Sequence, residues 1–431
     1  MKEEITKQTE ISPKALSEIQ SLLNVLEFKK KIEKYLGANI TELLEIILGG
    51  AIHLRSSDIH FEPQKEKTRL RIRIDGMLHD VLVLETSLYH KILNRIKLLS
   101  GIKLNVTDRP QDGRFSILIK NDVIEVRAST LPSEYGETIV LRLLNPKDLI
   151  SIEELGLRKD LLDLFLKEIK KPNGMIIVTG PTGSGKTTTL YAFLKEIQRP
   201  EIKVITIEDP IEYHLKGIAQ TQVDPQKGYD FASGLRSIVR QDPDVILVGE
   251  IRDLETAQIA LQAALTGHLV FTTLHTNDAA GTVTRLISLG AKPFNIAPAL
   301  NLAIAQRLVR KVCTKCLKFK NADENELSKF KKHLKNLPKN IKIPNIQKGL
   351  KIPVAEGCPE CNFTGYKGRT GIFEAFLVDP ELESFILKSP SVSALKEKAI
   401  KKGMVTMYQD GLIKVLEGKT TLQEVERVTS P

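Results

Sequence analysis

The chain is 431 residues long, room for roughly three domains, and its 42% hydrophobic and 27% charged residues are the balance of a globular protein able to bury its cores. No apolar stretch approaches the ~20 residues that span a bilayer, and the N-terminal Met1-Lys2-Glu3-Glu4-Ile5-Thr6-Lys7 lacks the apolar run of a signal peptide, so neither a membrane span nor a cleaved leader is expected. The net charge of +10 invites a nucleic-acid motor, but +7 of it falls between Leu317 and Lys351, where ten lysines face only Asp323, Glu324 and Glu326. That segment has just Phe319 and Phe330 as aromatics, unlike a strand-binding groove, which alternates cations with stacking rings. It reads as a solvated, partly mobile insertion, with a patch for anionic lipid or an acidic partner as the alternative.

In chain order, apolar residues at helical spacing predict one amphipathic helix from Leu16 to Leu36 and a second over Ile40 to His53. Residues 1–50 are therefore N-terminal helices and linker. From Ile59 to Leu84 apolar and polar residues alternate, with Asp75-Gly76 at the expected position of a tight hairpin turn. A helix over Tyr89 to Leu99 and strands over Phe115–Ile119, Val123–Ala128 and Thr138–Leu143 complete an α/β domain at 51–145. Asn145-Pro146-Lys147-Asp148 marks a linker.

The P-loop domain follows at 150–310. Gly180-Pro181-Thr182-Gly183-Ser184-Gly185-Lys186-Thr187 fits G-x-x-x-x-G-K-S/T, comes after the apolar run Met175–Thr179 and opens a helical pattern. Strand, glycine-rich loop and helix together give this motif its meaning. Backbone N–H groups turn inward around an oxyanion, the helix N-terminus adds positive dipole, Lys186 reaches the β- and γ-phosphates, and the Thr187 hydroxyl meets Mg²⁺. With Thr188, these residues form the expected binding set for a nucleoside triphosphate, ATP. Strands over Val204–Ile207, Val245–Val248 and Leu269–Thr273 alternate with helices such as Glu255–Leu265, which predicts a mainly parallel sheet covered on both faces.

Phosphoryl transfer needs a metal or water ligand set besides the cradle. Glu250 follows the strand Val245–Val248, with Gly249 where many P-loop proteins carry Asp, so Glu250 takes the metal or water contact. Glu208 ends the strand Val204–Ile207 and is the candidate for orienting the attacking water. His268 and His275 flank the strand Leu269–Leu274, one at each end. One is expected to sense the γ-phosphate, and which one is open.

Cys313-x-x-Cys316 and Cys358-x-x-Cys361 can supply four thiolates to a structural Zn²⁺, the lysine-rich segment accounting for the long interval of residues 317–357. Residues 311–375 form this tetracysteine module, and 376–431 a helical region punctuated by Gly403 and Gly418.

Taken in order, the phosphate loop, Glu208-Asp209-Pro210-Ile211-Glu212-Tyr213, Arg240-Gln241-Asp242-Pro243-Asp244, Gly249-Glu250-Ile251-Arg252-Asp253, and Thr266-Gly267-His268 through Leu274-His275-Thr276-Asn277 resemble the Walker A, Asp box, Walker B and His box of the secretion ATPases that drive type II secretion and type IV pilus assembly. The resemblance spans about residues 50 to 431 and includes Ser57-Asp58-Ile59-His60-Phe61-Glu62-Pro63 and Arg109-Pro110-Gln111-Asp112-Gly113-Arg114. It implies an α/β fold in which a RecA-like P-loop domain follows an N-terminal PAS-like domain, assembled as a homo-hexameric ring with ATP sites between subunits. It further implies that Arg127 and Arg142 complete a neighbour's site and that Arg236, Arg240 and Arg252 lie near the phosphates. Implied too are a polytopic inner-membrane platform as partner, peripheral association with the cytoplasmic face of the membrane through that partner, and no specific nucleic acid. Members that assemble or export often carry the cysteine module and retraction members lack it. Many members also begin with a folded docking domain, where about fifty residues stand here.

Overall fold

The computed structural model describes residues 8–429; the first seven residues, read above for a leader, lie outside the described residues. The chain forms two compact bodies. One holds the residues up to Asp148 with Cys313–Cys316 and Ala355–Lys367; the other holds Leu149–Val312, Leu317–Val354 and the chain from Gly368 onward.

The first body runs β1 (Gln8–Glu10), α1 (Pro13–Ile19), α2 (Val25–Lys34), α3 (Ile40–His53), β2 (Asp58–Pro63), β3 (Lys67–Ile74), β4 (Met77–Glu85), α4 (Thr86–Ser100), β5 (Gln111–Ile119), β6 (Asp122–Ser133) and β7 (Gly136–Leu144). The stretch from Leu16 to Leu36 is thus two helices rather than one. Asn24 accepts from the Glu27 amide at 3.0 Å and caps α2, so a fresh helix starts where the apolar spacing alone runs on. The strands make one sheet in the order β1-β5-β6-β7-β2-β3-β4, antiparallel except for the edge pair β1–β5. Asp75-Gly76 forms the two-residue turn between β3 and β4. Alternation sends Ile59, Phe61, Leu70, Val126 and Leu141 into one core with Phe28, Leu44 and Ile47 of the helices. It sends charge to the opposite face.

The second body runs α5 (Lys159–Glu168), β8 (Gly174–Thr179), α6 (Lys186–Ile197), β9 (Val204–Glu208), β10 (Ala219–Gln222), α7 (Phe231–Val239), β11 (Val245–Val248), α8 (Leu254–Leu265), β12 (Leu269–Leu274), α9 (Gly281–Ser288), α10 (Pro293–Ala299) and β13 (Leu300–Val312). Then come β14 (Leu317–Asn321), α11 (Glu324–Leu334), β15 (Lys351–Ala355), β16 (Tyr366–Leu377), α12 (Pro380–Ile386), α13 (Val392–Lys401), α14 (Met407–Leu416) and α15 (Leu422–Thr429). Its sheet has the order β10-β9-β11-β12-β8-β13-β16, and every pair from β10 to β13 is parallel. Met175 and Ile177 of β8 enter one core while Ile176 and Val178 enter another, so both faces are covered, as the apolar strands predict. The sequence pattern does not foresee β13 and β16, which extend the sheet beyond β8.

The lysine-rich segment differs from the solvated insertion expected. Asp323 and Glu326 form a capping box that starts α11, and Leu327, Phe330 and Leu334 are buried with the C-terminal helices. The His333 ring packs edge-on to Tyr408 at 4.9 Å, and Lys329 pairs with Glu426 at 2.6 Å. High lysine content conceals an apolar stripe at i, i+3 and i+7, which is enough to seat a helix.

A buried ionic cluster fastens the second body together. Asp410, fully buried on α14, accepts from Arg158 at 2.7 Å, Lys414 at 2.7 Å and the Phe373 amide of β16 at 2.8 Å. Burial would raise its pKa, but Lys414 and Arg158 outweigh that effect and hold it below the ordinary carboxylate value. Removing the carboxylate strands Lys414, itself 1% exposed, without a counter-charge. Asp410→Ala is expected to cost about 3–5 kcal/mol of stability, seen as a lowered denaturation midpoint; an unchanged midpoint would show that the cluster contributes nothing net.

Candidate active site

The phosphate loop joins β8 to α6, and within it the Ser184 amide donates to the Pro181 carbonyl at 3.2 Å. Gly180, Gly183 and Gly185 all have positive φ, and Gly185 starts α6 with no side chain capping it. Such a loop needs bracing from outside, and Gln306 of β13 supplies it. The Gln306 amide donates to the Ser184 carbonyl at 2.7 Å and accepts from the Thr189 hydroxyl of α6 at 2.8 Å. A Cβ on Gly180 would lie 2.6 Å from the Gln306 carbonyl, and one on Gly185 2.9 Å from its amide nitrogen, so both glycines are required by the brace as well as by φ. From the other side, Thr179 accepts from the Thr276 amide at 2.8 Å, and the buried Glu374 accepts from the Ala279 amide at 2.9 Å and the Met407 amide at 3.1 Å. These bonds set the segment that carries His275.

Around the loop the structure gathers Lys186, Glu250, Arg252, His275 and Arg307. Lys186 donates to the carbonyls of Gly180 at 2.9 Å and Pro181 at 3.2 Å. Burial lowers its pKa and Arg307 adds to this, while the field of Glu250 opposes both. Glu250 accepts from Arg252 and lies 3.4 Å from His275 Nε2; Arg252 also reaches Asp209 at 3.3 Å. Gly249 packs so tightly that its Cβ would sit 3.3 Å from the Glu208 Cα, which leaves the next residue, Glu250, to present the carboxylate. Thr187, in the first turn of α6, is exposed, and its hydroxyl and the Glu250 carboxylate are oxygen donors of the kind a divalent cation takes.

Other expected residues are held by partners outside that group. Glu208 is 3% exposed and turned into the protein, accepting from Thr206, Gln220 and Tyr191. His268 sits at the start of β12, level with Gly174 rather than with the loop, its Nδ1 3.0 Å from the Ala263 carbonyl. Seven residue steps along β12 place it about 23 Å from His275, so the two histidines stand at different ends of the sheet. Arg236 and Arg240 are exposed on α7 with Glu255 and Ser237 as partners at 2.5 and 3.3 Å.

Arg127 and Arg142 belong to the first body, in a row of facing residues. Arg114, Arg127, Arg142, Asp58 and Arg73 stand opposite one another across β5, β6, β7, β2 and β3. Asp58, 5% exposed, lies 3.0 Å from Arg142 Nε and 3.3 Å from Arg73 Nε, and also accepts from Ser57 at 2.8 Å. The row thus sets one carboxylate among four guanidiniums.

The four cysteines gather with all Sγ atoms within 4.8 Å of one another, and none is in a disulfide. Sγ separations are 3.9 Å for Cys313–Cys358, 3.9 Å for Cys316–Cys361 and 3.7 Å for Cys358–Cys361. A tetrahedron with zinc–sulfur bonds of about 2.3 Å has edges of about 3.8 Å, so the donor set fits that ion. The knuckle also touches the helices, since Asn362 accepts from the Val25 amide at 2.7 Å.

Sequence reasoning missed Gln306, Arg307 and Tyr191. For the first two a signal existed, a polar pair ending the apolar run Leu302–Ala305, but it points to a brace only once β13 is seen beside β8.

A parallel sheet with a glycine-rich loop between an interior strand and a covering helix, a lysine at that helix's start and an acid at the end of a nearby strand define a P-loop nucleotide-binding protein. The chain belongs to the type II/IV secretion system protein family, whose model matches residues 34–427. It is 46% identical over 393 residues to the type II secretion system ATPase E of Vibrio cholerae, covering 91% of this chain and 76% of that protein. It is 44% identical over 389 residues to the type IV pilus assembly ATPase PilB of Pseudomonas aeruginosa, covering 90% of this chain and 66% of that protein. Among solved structures, the pilus retraction motor PilT with bound ADP superposes with a TM-score of 0.60 at 26% identity, over 89% of this chain and 96% of that one. The Legionella pneumophila ATPase DotB shares the fold, with a TM-score of 0.64 at 23% identity over 89% and 94%.

Replacing Gln306 by Leu leaves the Ser184 carbonyl and Thr189 hydroxyl without their partner. ATP affinity should fall about tenfold, the worth of one or two such bonds, in titrations with a fluorescent nucleotide; unchanged affinity would remove Gln306 from the brace. Cys358→Ser should lose the one equivalent of zinc expected per chain by elemental analysis, whereas equal zinc in both proteins would place the ion elsewhere.

Proposed function

We propose that this ATPase, of the class that drives type II secretion and type IV pilus assembly, works as a homo-hexameric ring in the cytoplasm, at the inner face of the cell membrane. The reading rests on the gathering of Lys186, Glu250, Arg252 and His275 at the ends of β8, β11 and β12. There Gly180 to Thr188 cradle the triphosphate, Lys186 neutralises it, and Thr187 with Glu250 holds Mg²⁺, which offsets charge on the phosphate oxygens. His275 senses the γ-phosphate, His268 having no path to it along β12, and Glu208 orients the attacking water. Arg252, Arg236 and Arg240 add positive charge on the P-loop side, and Arg127 and Arg142 of the PAS-like body serve a neighbouring subunit's site in RecA-like fashion.

The cysteine set, holding a structural Zn²⁺, supports assembly or export over retraction. No described helix is long and apolar enough to cross a membrane. Force passes to a polytopic inner-membrane platform protein, with membrane association through that partner and no specific nucleic acid involved.

Shared sites make a definite prediction. Lys186→Ala and Arg142→Ala proteins should each lack ATPase activity, while an equimolar mixture allowed to exchange subunits should recover activity at about a quarter of its sites. If fluorescence transfer reports exchange and no phosphate is released, the sites are not shared.

A further inference from the structure

Glu208, at the end of β9, is turned away from solvent, and its surroundings explain how. Its Oε1 accepts from the Thr206 hydroxyl at 2.6 Å and the Gln220 amide at 3.2 Å, and its Oε2 accepts from the Tyr191 hydroxyl. A carboxylate offers about four lone-pair sites, so three donors fix it and leave one direction open, enough for a single water. Thr206 lies on the same strand as Glu208, and Gln220 on the neighbouring β10. Tyr191 comes instead from α6, the helix that begins at Lys186.

We propose that Tyr191 is a positioning residue for the reaction, tying Glu208 to the phosphate-loop helix so that the water-orienting carboxylate moves in step with the bound triphosphate. The proposal rests on the water-orienting reading of Glu208. Tyr191 lies four residues beyond Thr187, one helical turn along the same side of α6, so a displacement of the helix start by nucleotide is carried to the phenol with little loss. The tyrosine is 2% exposed, and its ring meets Tyr213 edge-on at 6.3 Å, which leaves the hydroxyl few directions besides the carboxylate. Burial and then the charge of Glu208 push the phenol's pKa upward, so it stays a donor at neutral pH. Tyr213 is itself held in place, its carbonyl accepting from the Gln220 amide at 3.0 Å. The donors around Glu208 therefore form one linked set spanning α6, β9, β10 and the segment between them.

The test is steady-state ATP hydrolysis by the full chain with Mg²⁺, comparing Tyr191→Phe, Glu208→Gln, Glu208→Asp and the double variant Tyr191→Phe/Glu208→Asp. Phenylalanine keeps the ring packing and removes only the hydroxyl. Tyr191→Phe should lower kcat roughly tenfold, as loss of one hydrogen bond to a charged group does, with KM within about twofold. Glu208→Asp withdraws the carboxylate by one methylene from the phenol's reach, so adding Tyr191→Phe to it should cost almost nothing more. A purely structural tyrosine would instead lower kcat by the same factor in both backgrounds, which overturns the proposal, as does an unchanged kcat in Tyr191→Phe while Glu208→Gln is inactive. Full activity in Glu208→Gln would overturn the water-orienting reading itself, and this inference with it. Should Tyr191→Phe melt early, Gln220→Met removes a different donor to the same carboxylate and must show the same loss in kcat and the same absence of further loss on Glu208→Asp.

Discussion

A loop that aims its backbone N–H groups at a ligand has few left to hold itself in shape; here the Ser184 amide, bonded to the Pro181 carbonyl, is one. Gln306 resolves this conflict, because one buried amide satisfies a loop carbonyl and a hydroxyl of the helix that follows. The rest of the second body depends on that bond pair. It needs β13 directly beside β8, glycines wherever the strand presses on the loop, and apolar packing on both faces so that the amide meets no competing water. Lys186 can then stand among Glu250, Arg252 and Arg307 at a cost that the mixture of charges keeps small.

Charge is arranged differently in the first body. Three arginines, Arg114, Arg127 and Arg142, face one another on adjacent strands, and like charges directly opposite in a sheet are unfavourable. Asp58 tempers this at one point, between Arg142 and Arg73, and leaves Arg114 and Arg127 at the other end of the row. The sheet holds because its opposite face buries a full apolar core.

Local signals were legible in the sequence and tertiary ones were not. The helix over Ile40–His53, the Asp75-Gly76 turn and the passage from β8 through the loop into α6 each lie within a short window, where spacing and turn chemistry suffice. The helix break before Asn24 was hidden because an apolar pattern continues across it. α11 was hidden because its lysines outnumber the three apolar residues that seat it. Gln306 works on residues 117 and 122 positions away, and no local pattern announces such a bond. His268 and His275 look equivalent as letters; the direction of β12 is what separates them. The cysteine spacing foretold a four-thiol cluster, yet not that its knuckles would group with the N-terminal helices.

The helix α6 is gripped from two sides. Thr189 bonds to β13 and Tyr191 to the end of β9, and two residues correspond to about 200° of rotation about a helix axis. In the sheet those strands stand four intervals apart, about 19 Å at ordinary strand spacing. No roll of α6 about its own axis preserves both bonds, so the helix behaves as a crossbeam that translates or tilts as a rigid piece. Whatever pulls on its first turn is therefore delivered to both flanks of the sheet at the same moment, which turns a contact a few ångströms wide into a lever as broad as the domain's core.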